Sequence, residues 1–416
     1  MKLDLTPLKQ KCSCGKKHQI QVRDILLEKD ALLGLPDLLR QDGYRQYQKS
    51  VVIADQNTYD ACGERVCRQT GAGCIVLEAQ GLHADEAAVQ TVLDRLSGED
   101  LLIAAGSGTI HDITRFAAKE TGAAFVSIPT AASVDGFVST VAAMTWYGFK
   151  KTLPAVPPIA VIADTAIFSK APYRLTAAGV SDLMGKYTAL ADWEISHLVT
   201  GEYLCPEICE LEYQALQMVG PVLKELREGG RTAYEKLMYG LLLSGLAMQM
   251  VGNSRPASGC EHHMSHLWEM AVLQPQIQAY HGEKVSAGLV ECARVYHQTA
   301  TEIKNIDITA YSGWPEKRIK DVFGSLYPQI LEENTPDPLY SVAPERLEQC
   351  LPQIAHILSR IPQPERLEEI LKEAGCVTSM EQIGLPAQLL PDSLEFSPYV
   401  RNRLTLMRLR KMMKIK

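Results

Sequence analysis

Long hydrophobic runs are missing from this sequence. The longest near-apolar stretch, residues 238–252, stops short of the roughly 18–20 residues that a bilayer-spanning helix needs. No transmembrane segment is expected, and the stretch reads as a helix buried on all sides. The N-terminal MKLDLTPLKQKCSCGKK carries charge but no apolar core, so it does not read as a secretory signal. Positive charge is not in excess either. Lys and Arg number 42 against 49 Asp and Glu, a formal net charge of −7. A chain of that sign lacks the broad basic face that nucleic acid requires. Cysteine is present, but in no framework. The 11 cysteines are odd in number and scattered, at Cys62, Cys74, Cys205, Cys260 and Cys350 among others. A chain of this size needs no disulfides, and the pattern points to a reducing, cytoplasmic compartment. Internal repeats and low-complexity segments are also lacking.

What is there is a globular composition, 46% hydrophobic and 22% charged over 416 residues, enough for two or three domains. In the first part, β-branched runs alternate with helical stretches: KSVVIAD (49–55), CIVLE (74–78), LLIAAG (101–106), AAFVSIPT (123–130) and IAVIAD (159–164). This alternation predicts a parallel sheet covered on both faces. The segment VSTVAAMTWYGFKKTLPAV suits a hairpin on one edge of it. Beyond Pro172 the texture becomes helical, over 175–200, 205–226, 231–251, 261–273, 282–304 and 344–373, with no convincing strand. The expected architecture is an α/β nucleotide-binding domain, residues 1–168, followed by an all-helical metal- and substrate-binding domain, residues 169–416.

Four clusters carry chemistry. In AAGSGTIHD a strand ends in a Gly-Ser-Gly turn and a helix begins, which offers backbone N–H groups to an anion. Gly106 and Gly108 would let a pyrophosphate approach the chain, while His111 and Asp112 suit helix-start and packing roles. Asp55, at the end of the first strong strand, could accept both hydroxyls of an adenosine ribose and repel a 2′-phosphate. It precedes the glycine turn by about fifty residues, the reverse of the usual dinucleotide fingerprint. The third cluster, IPTAASVDGFVST, places small hydroxyl residues just past a strand end. Thr130, Ser133 and Ser139 could contact cofactor, and Asp135 could hold a substrate hydroxyl. The fourth joins Asp182 to SGCEHHMSHLWEM and AYHGEKV. His262 and His266 share a helix face, His263 lies about 100° away, and His281 opens the next helix. Four of the ten histidines fall in this short span. Two imidazoles and one carboxylate with open positions make a Lewis-acid site for a borderline divalent metal.

Weaker signals lie elsewhere. Cys12, Cys14 and His18 could bind a metal, but the C-x-C spacing lacks a second pair. Cys205 and Cys209 share a helix face and suit a core. The terminal RNRLTLMRLRKMMKIK reads as a basic amphipathic helix with a solvated end.

Asp55, GSGTIHD, IPTAASVDG, the SD of GVSD, SRPASGCEHHMSH and HGEKV stand in the order and spacing of the iron-containing alcohol dehydrogenase and dehydroquinate synthase superfamily, which this chain resembles over about residues 10–300. Its SRPASG-x-EH-x-x-SH segment is most similar to the sn-glycerol-1-phosphate dehydrogenases of the bacterial AraM type. The resemblance implies a dehydroquinate synthase-like fold and metal-dependent reduction of dihydroxyacetone phosphate by NADH, with NADPH as an alternative cofactor, reversibly. It implies metal ligands Asp182, His262 and His281, with zinc, nickel or iron as the ion. It implies that His266, together with Asp182, serves catalysis and substrate, and that Asp135 contacts substrate. Asp55, Gly106, Ser107, Gly108, Thr109, Ile110, Thr130, Ser133 and Ser139 are then the cofactor contacts. A glycerol or other polyol dehydrogenase, or a dehydroquinate synthase-like cyclase, would share most of these residues. The expected partners are a small phosphorylated polyol and further copies of the chain, as a homodimer or higher homo-oligomer.

A phosphorylated substrate needs a cationic anchor near the metal. Arg255, in GNSRPASG, could grip phosphate oxygens bidentately, with Lys284 of HGEK as the competitor.

Overall fold

The computed structural model describes residues 2–415. Its residues form two compact units: Met1–Tyr147, Lys151–Leu183 and Glu210–Ser254 make the first, and Gly148–Lys150, Met184–Cys209 and Arg255–Lys416 the second. No helix among the described residues is long and apolar enough to cross a membrane.

The first unit is built on six parallel strands: β1 (Asp24–Glu28), β2 (Ser50–Asp55), β3 (Gly73–Leu77), β4 (Leu101–Gly106), β5 (Ala124–Pro129) and, after an insertion, β8 (Ala160–Asp164). Their order across the sheet is β1-β8-β5-β4-β2-β3. Side-chain alternation explains why the runs are apolar throughout. Leu102, Ala104 and Phe125 enter a core on one face, while Leu101, Ile103, Ala105 and Val126 enter a second core on the other. The strands β6 (Val141–Trp146) and β7 (Phe149–Pro154) pair as a separate two-stranded sheet, not as an extension of the parallel sheet's edge.

From β2 the chain steps outward to β3, then returns to place β4 on the other side of β2 and proceeds through β5 to β8. The strand order therefore reverses between β2 and β4. A crevice outside the carboxyl ends at such a reversal is where open α/β sheets bind ligands. Asp55 ends β2 there, and Gly106 ends β4 opposite Pro129 of β5.

Residues 169–183 and 210–254, expected with the helical half, fold with the sheet instead. The reason lies in the helix Arg231–Val251, whose apolar residues surround its whole circumference and must be covered on every side. It packs so closely on the residues after β5 that a Cβ at Gly245 would come within 2.4 Å of Val138 and 2.6 Å of the Asp135 carbonyl.

The second unit is mainly helical: α1 (Lys186–Thr200), α2 (Cys260–Glu269), α3 (His281–Glu302), α4 (Pro344–Leu358) and α5 (Pro364–Glu373) are its principal elements. Two features depart from expectation. Ile306–Ile308 and Met413–Ile415 form a small antiparallel pair. The basic tail is not a solvated helix. It is a single turn at Leu406–Leu409, a 3-10 turn and that last strand. Arg408 is wholly buried, donating to Asn334 Oδ1 (2.8 Å), the Pro398 carbonyl (3.0 Å) and the Arg401 carbonyl (2.9 Å), and pairing with Asp337 at 3.2 Å. Charge alone marked the run as solvated. The acceptors that make burial tolerable come from residues 334–337 and 398–401.

Candidate active site

In the sheet unit, the polar residues expected to serve a cofactor gather past the carboxyl ends of β2, β4 and β5. Asp55 caps the short helix Gln56–Thr58: its Oδ1 accepts the Thr58 N–H at 2.8 Å, and Thr58 Oγ1 accepts the Asp55 N–H at 3.0 Å. One carboxylate oxygen thus holds the turn, leaving the other to serve a ligand. Gly106 answers to the turn itself, since a Cβ there would lie 2.4 Å from that of Ile110. Ser107 and Gly108 lead into the helix Gly108–Thr121, with Thr109 and Ile110 in its first turn. His111 is a packing residue, its ring bonded to the Ser107 carbonyl and to Ser127 Oγ, both at 2.8 Å. Burial pushes its pKa down to about 3, so the ring is neutral.

The loop that follows β5 holds Thr130, Ser133, Asp135 and Ser139, all buried. Its anchor is Arg115, which sequence reading did not single out. That guanidinium donates to the carbonyls of Ser139 (3.0 Å), Val141 (2.9 Å) and Gly136. Ser139 Oγ accepts the Val141 N–H at 3.1 Å and is partly spent on the turn. Asp135 donates its N–H to Asp182 Oδ2 at 2.9 Å and accepts from Ser244 Oγ, also at 2.9 Å. Asp182, on the helix Tyr173–Met184, is thereby fixed in place while nearly inaccessible.

In the helical unit, α2 and α3 bring three imidazoles together. Ring centroids of His262 and His281 are 5.2 Å apart, those of His266 and His281 5.6 Å, and those of His262 and His266 6.1 Å. Each ring turns its Nδ1 toward a carboxylate: His262 to Glu261 at 2.7 Å, His281 to Glu269 at 3.1 Å and His266 to Glu269 at 3.3 Å. An ionised carboxylate only accepts, so each Nδ1 carries a proton, and a neutral ring then has its lone pair on Nε2. Such carboxylate–imidazole pairs set tautomer and orientation in metal sites. Burial pushes the Glu261 carboxyl up, but bonds from His262, Thr188 and the Gly259 N–H outweigh it and hold it below the usual range. Burial likewise opposes ionisation of Glu269, and Lys150 and Lys284, each 3.1 Å away, reverse that strongly. Burial keeps His266 well below its ordinary value despite Glu269, so its ring is neutral.

His263, on another face of α2, is buried with neither ring nitrogen bonded among the described residues. Burial, then the Arg403 and Arg401 charges, holds it neutral. Arg255 is engaged within the helical unit. It pairs with Glu202 at 2.9 Å and donates to the carbonyls of Leu404 (2.7 Å) and Asp192 (3.3 Å). These bonds fasten the terminal segment to α1 through one nitrogen of the guanidinium. Lys284 instead stands among the imidazoles, with Lys150 beside it. Glu261 and Glu269 went unnoticed in the sequence; Glu269, three residues after His266, stands at a spacing a helix brings within reach, whereas the adjacent Glu261 and His262 do not.

The family profile described as iron-containing alcohol dehydrogenase matches residues 26–172. The glycerol-1-phosphate dehydrogenase [NAD(P)+] of Geobacillus stearothermophilus is 34% identical, with 97% of this chain and 96% of the relative aligned. The enzyme of the same name from Bacillus subtilis (strain 168) is 32% identical over 95% and 92%. Among solved structures, sulfoacetaldehyde reductase from Bifidobacterium kashiwanohense in complex with NAD+ superposes with a TM-score of 0.60 at 15% identity, covering 95% of this chain and 96% of that one.

Proposed function

Since this chain belongs to the glycerol-1-phosphate dehydrogenases of the iron-containing alcohol dehydrogenase family, we propose that it reduces dihydroxyacetone phosphate to sn-glycerol 1-phosphate with NADH or NADPH, reversibly and with a divalent metal. The observation that carries the chemistry is the trio of imidazoles whose Nδ1 atoms all face carboxylates. A neutral Nε2 is the donor atom that zinc, nickel or iron(II) takes. His262, His281 and Asp182 are the residues that the family resemblance assigns to hold the ion. When bound, it supplies Lewis acidity to a ketone that must accept hydride.

The rest falls to side chains. Hydride delivery needs the nicotinamide held still, and the loop clamped by Arg115, with Thr130, Ser133 and Ser139, is assigned to that. The N-terminal turn of Gly108–Thr121, with Gly106, Ser107, Thr109 and Ile110, is assigned to the pyrophosphate. Asp135 takes a substrate hydroxyl. His266 accepts the hydroxyl proton at Nε2 during oxidation and returns it during reduction, with Glu269 stabilising the imidazolium formed in between. Lys284, with Lys150, takes the phosphate. A cytoplasmic location fits the eleven cysteines, none in a disulfide.

NADH oxidation with dihydroxyacetone phosphate, before and after chelation, tests this reading. Activity is expected to vanish on chelation and return with Zn²⁺ or Ni²⁺. Turnover that survives complete removal of metal would sink it, and faster turnover of dihydroxyacetone than of its phosphate would favour a polyol dehydrogenase.

The cofactor assignment has its own test. Asp55→Ser keeps an oxygen for the helix cap but removes the charge. It should narrow any preference for NADH over NADPH by about 1–3 kcal/mol, the scale of a charge-assisted hydrogen bond. An unchanged ratio of kcat/KM for the two cofactors would remove Asp55 from the ribose site.

A further inference from the structure

We propose that Cys12, Cys14 and His18 hold a second, structural metal ion of the zinc class in the sheet unit. Their three ligand atoms lie within 4.8 Å of one another, with Cys14 Sγ and His18 Nε2 at 3.4 Å. The loop is built to bring them together. Lys11 and Lys17 pair as an antiparallel bridge, the Gly15 N–H donates to the Cys12 carbonyl at 3.0 Å, and the Cys12 N–H donates to the Lys16 carbonyl at 3.4 Å. Gly15 closes the turn at φ +83°, a conformation that side-chain-bearing residues rarely adopt. The Lys16 N–H points at Cys14 Sγ at 3.5 Å, a contact that stabilises a thiolate.

The imidazole is oriented as a ligand. His18 Nδ1 lies 2.8 Å from the Met250 carbonyl, which can only accept, so the proton sits on Nδ1 and the Nε2 lone pair faces the sulfur. Cys12 and His18 are each only 5% exposed. Two thiolates and an imidazole are a soft donor set, suited to Zn²⁺ and not to Mg²⁺ or Ca²⁺. Lys11, Lys16 and Lys17 offset the negative charge that appears when the ion displaces both thiol protons. A tetrahedral ion takes its fourth ligand from water or from another thiolate of the chain.

The ion would staple the N-terminal loop to the last turn of the helix Arg231–Val251, where the Gln21 N–H also bonds Gln249 Oε1 at 3.0 Å.

The test uses the whole chain purified under reducing conditions, with metal measured per chain by mass spectrometry. The unaltered protein should carry two equivalents of divalent metal, at least one of them zinc. His262→Ala should keep one, and Cys14→Ser should keep the other, with a lowered melting temperature and kcat largely retained. In the His262→Ala protein, cobalt(II) exchanged for zinc should show a near-ultraviolet thiolate charge-transfer band that is absent when Cys14→Ser is added. A His262→Ala protein with fully reduced thiols that binds no zinc and shows no such band would overturn the proposal, whether or not the Cys14→Ser chain folds.

Discussion

The His262→Ala enzyme is expected to lose its active-site metal and its turnover together. A Lewis acid stabilises developing alkoxide charge by several kcal/mol, and each ~1.4 kcal/mol is a factor of ten, so kcat/KM should fall by about 10³-fold or more. The contrast with the next residue makes the prediction sharp. His263 is as deeply buried as His262 and as close to it as two residues can be, yet its ring projects from another face of α2 and is neutral, with both nitrogens unbonded among the described residues. His263→Leu keeps the volume and removes two unsatisfied nitrogens, so it should keep the metal and most of the rate. Metal content and NADH oxidation, measured on folded protein, decide between them. A His263→Leu enzyme without metal beside a His262→Ala enzyme that retains it would show that the helix faces are misassigned.

The two candidate phosphate anchors should fail in opposite ways. Arg255→Ala leaves the Leu404 and Asp192 carbonyls without this donor and removes the ion pair from Glu202, which keeps the Ser196 hydroxyl. Breaking a buried network of this kind costs about 2–4 kcal/mol, with the exposed side of Glu202 keeping it from costing more. The expected result is a lower melting temperature, with KM little changed in the protein that stays folded. Lys284→Met should leave the fold nearly intact, because Lys150 still neutralises Glu269 and Glu269 still orients both imidazoles. Losing one charge-assisted contact, about 1.5–3 kcal/mol, should raise KM for dihydroxyacetone phosphate by about 10–100-fold. Activity on unphosphorylated dihydroxyacetone should change little. Parallel losses on both substrates would assign Lys284 to the metal's surroundings instead, and a KM defect in a stable Arg255→Ala enzyme would return the phosphate to Arg255.

Much of the architecture was legible without coordinates, because its signals are local. Apolar runs between helical stretches imply a parallel sheet, since only a strand covered on both faces can be apolar at every position. The runs at 49–55, 101–106 and 123–130 became β2, β4 and β5. Spacing on one helix likewise sorted His262 and His266 from His263, since 3.6 residues per turn fixes azimuth. The glycine turn and the acidic strand end were readable as chemistry for the same reason.

What the sequence alone determined is therefore the set of reactive groups and the elements that bear them. The tertiary structure decided which of those groups are already engaged and by what. Glu261 and Glu269 supply the tautomers of the three imidazoles, Arg115 supplies the shape of the cofactor loop, and Leu404 and Glu202 claim Arg255. It also carried residues 169–183 and 210–254 to the sheet unit, buried the basic tail, and brought the ligand atoms of C-x-C-x₃-H within 4.8 Å of one another. In each case the cause is the same. A polar group loses its water on burial and must find a partner, and that partner can lie more than a hundred residues away, as Leu404 does from Arg255.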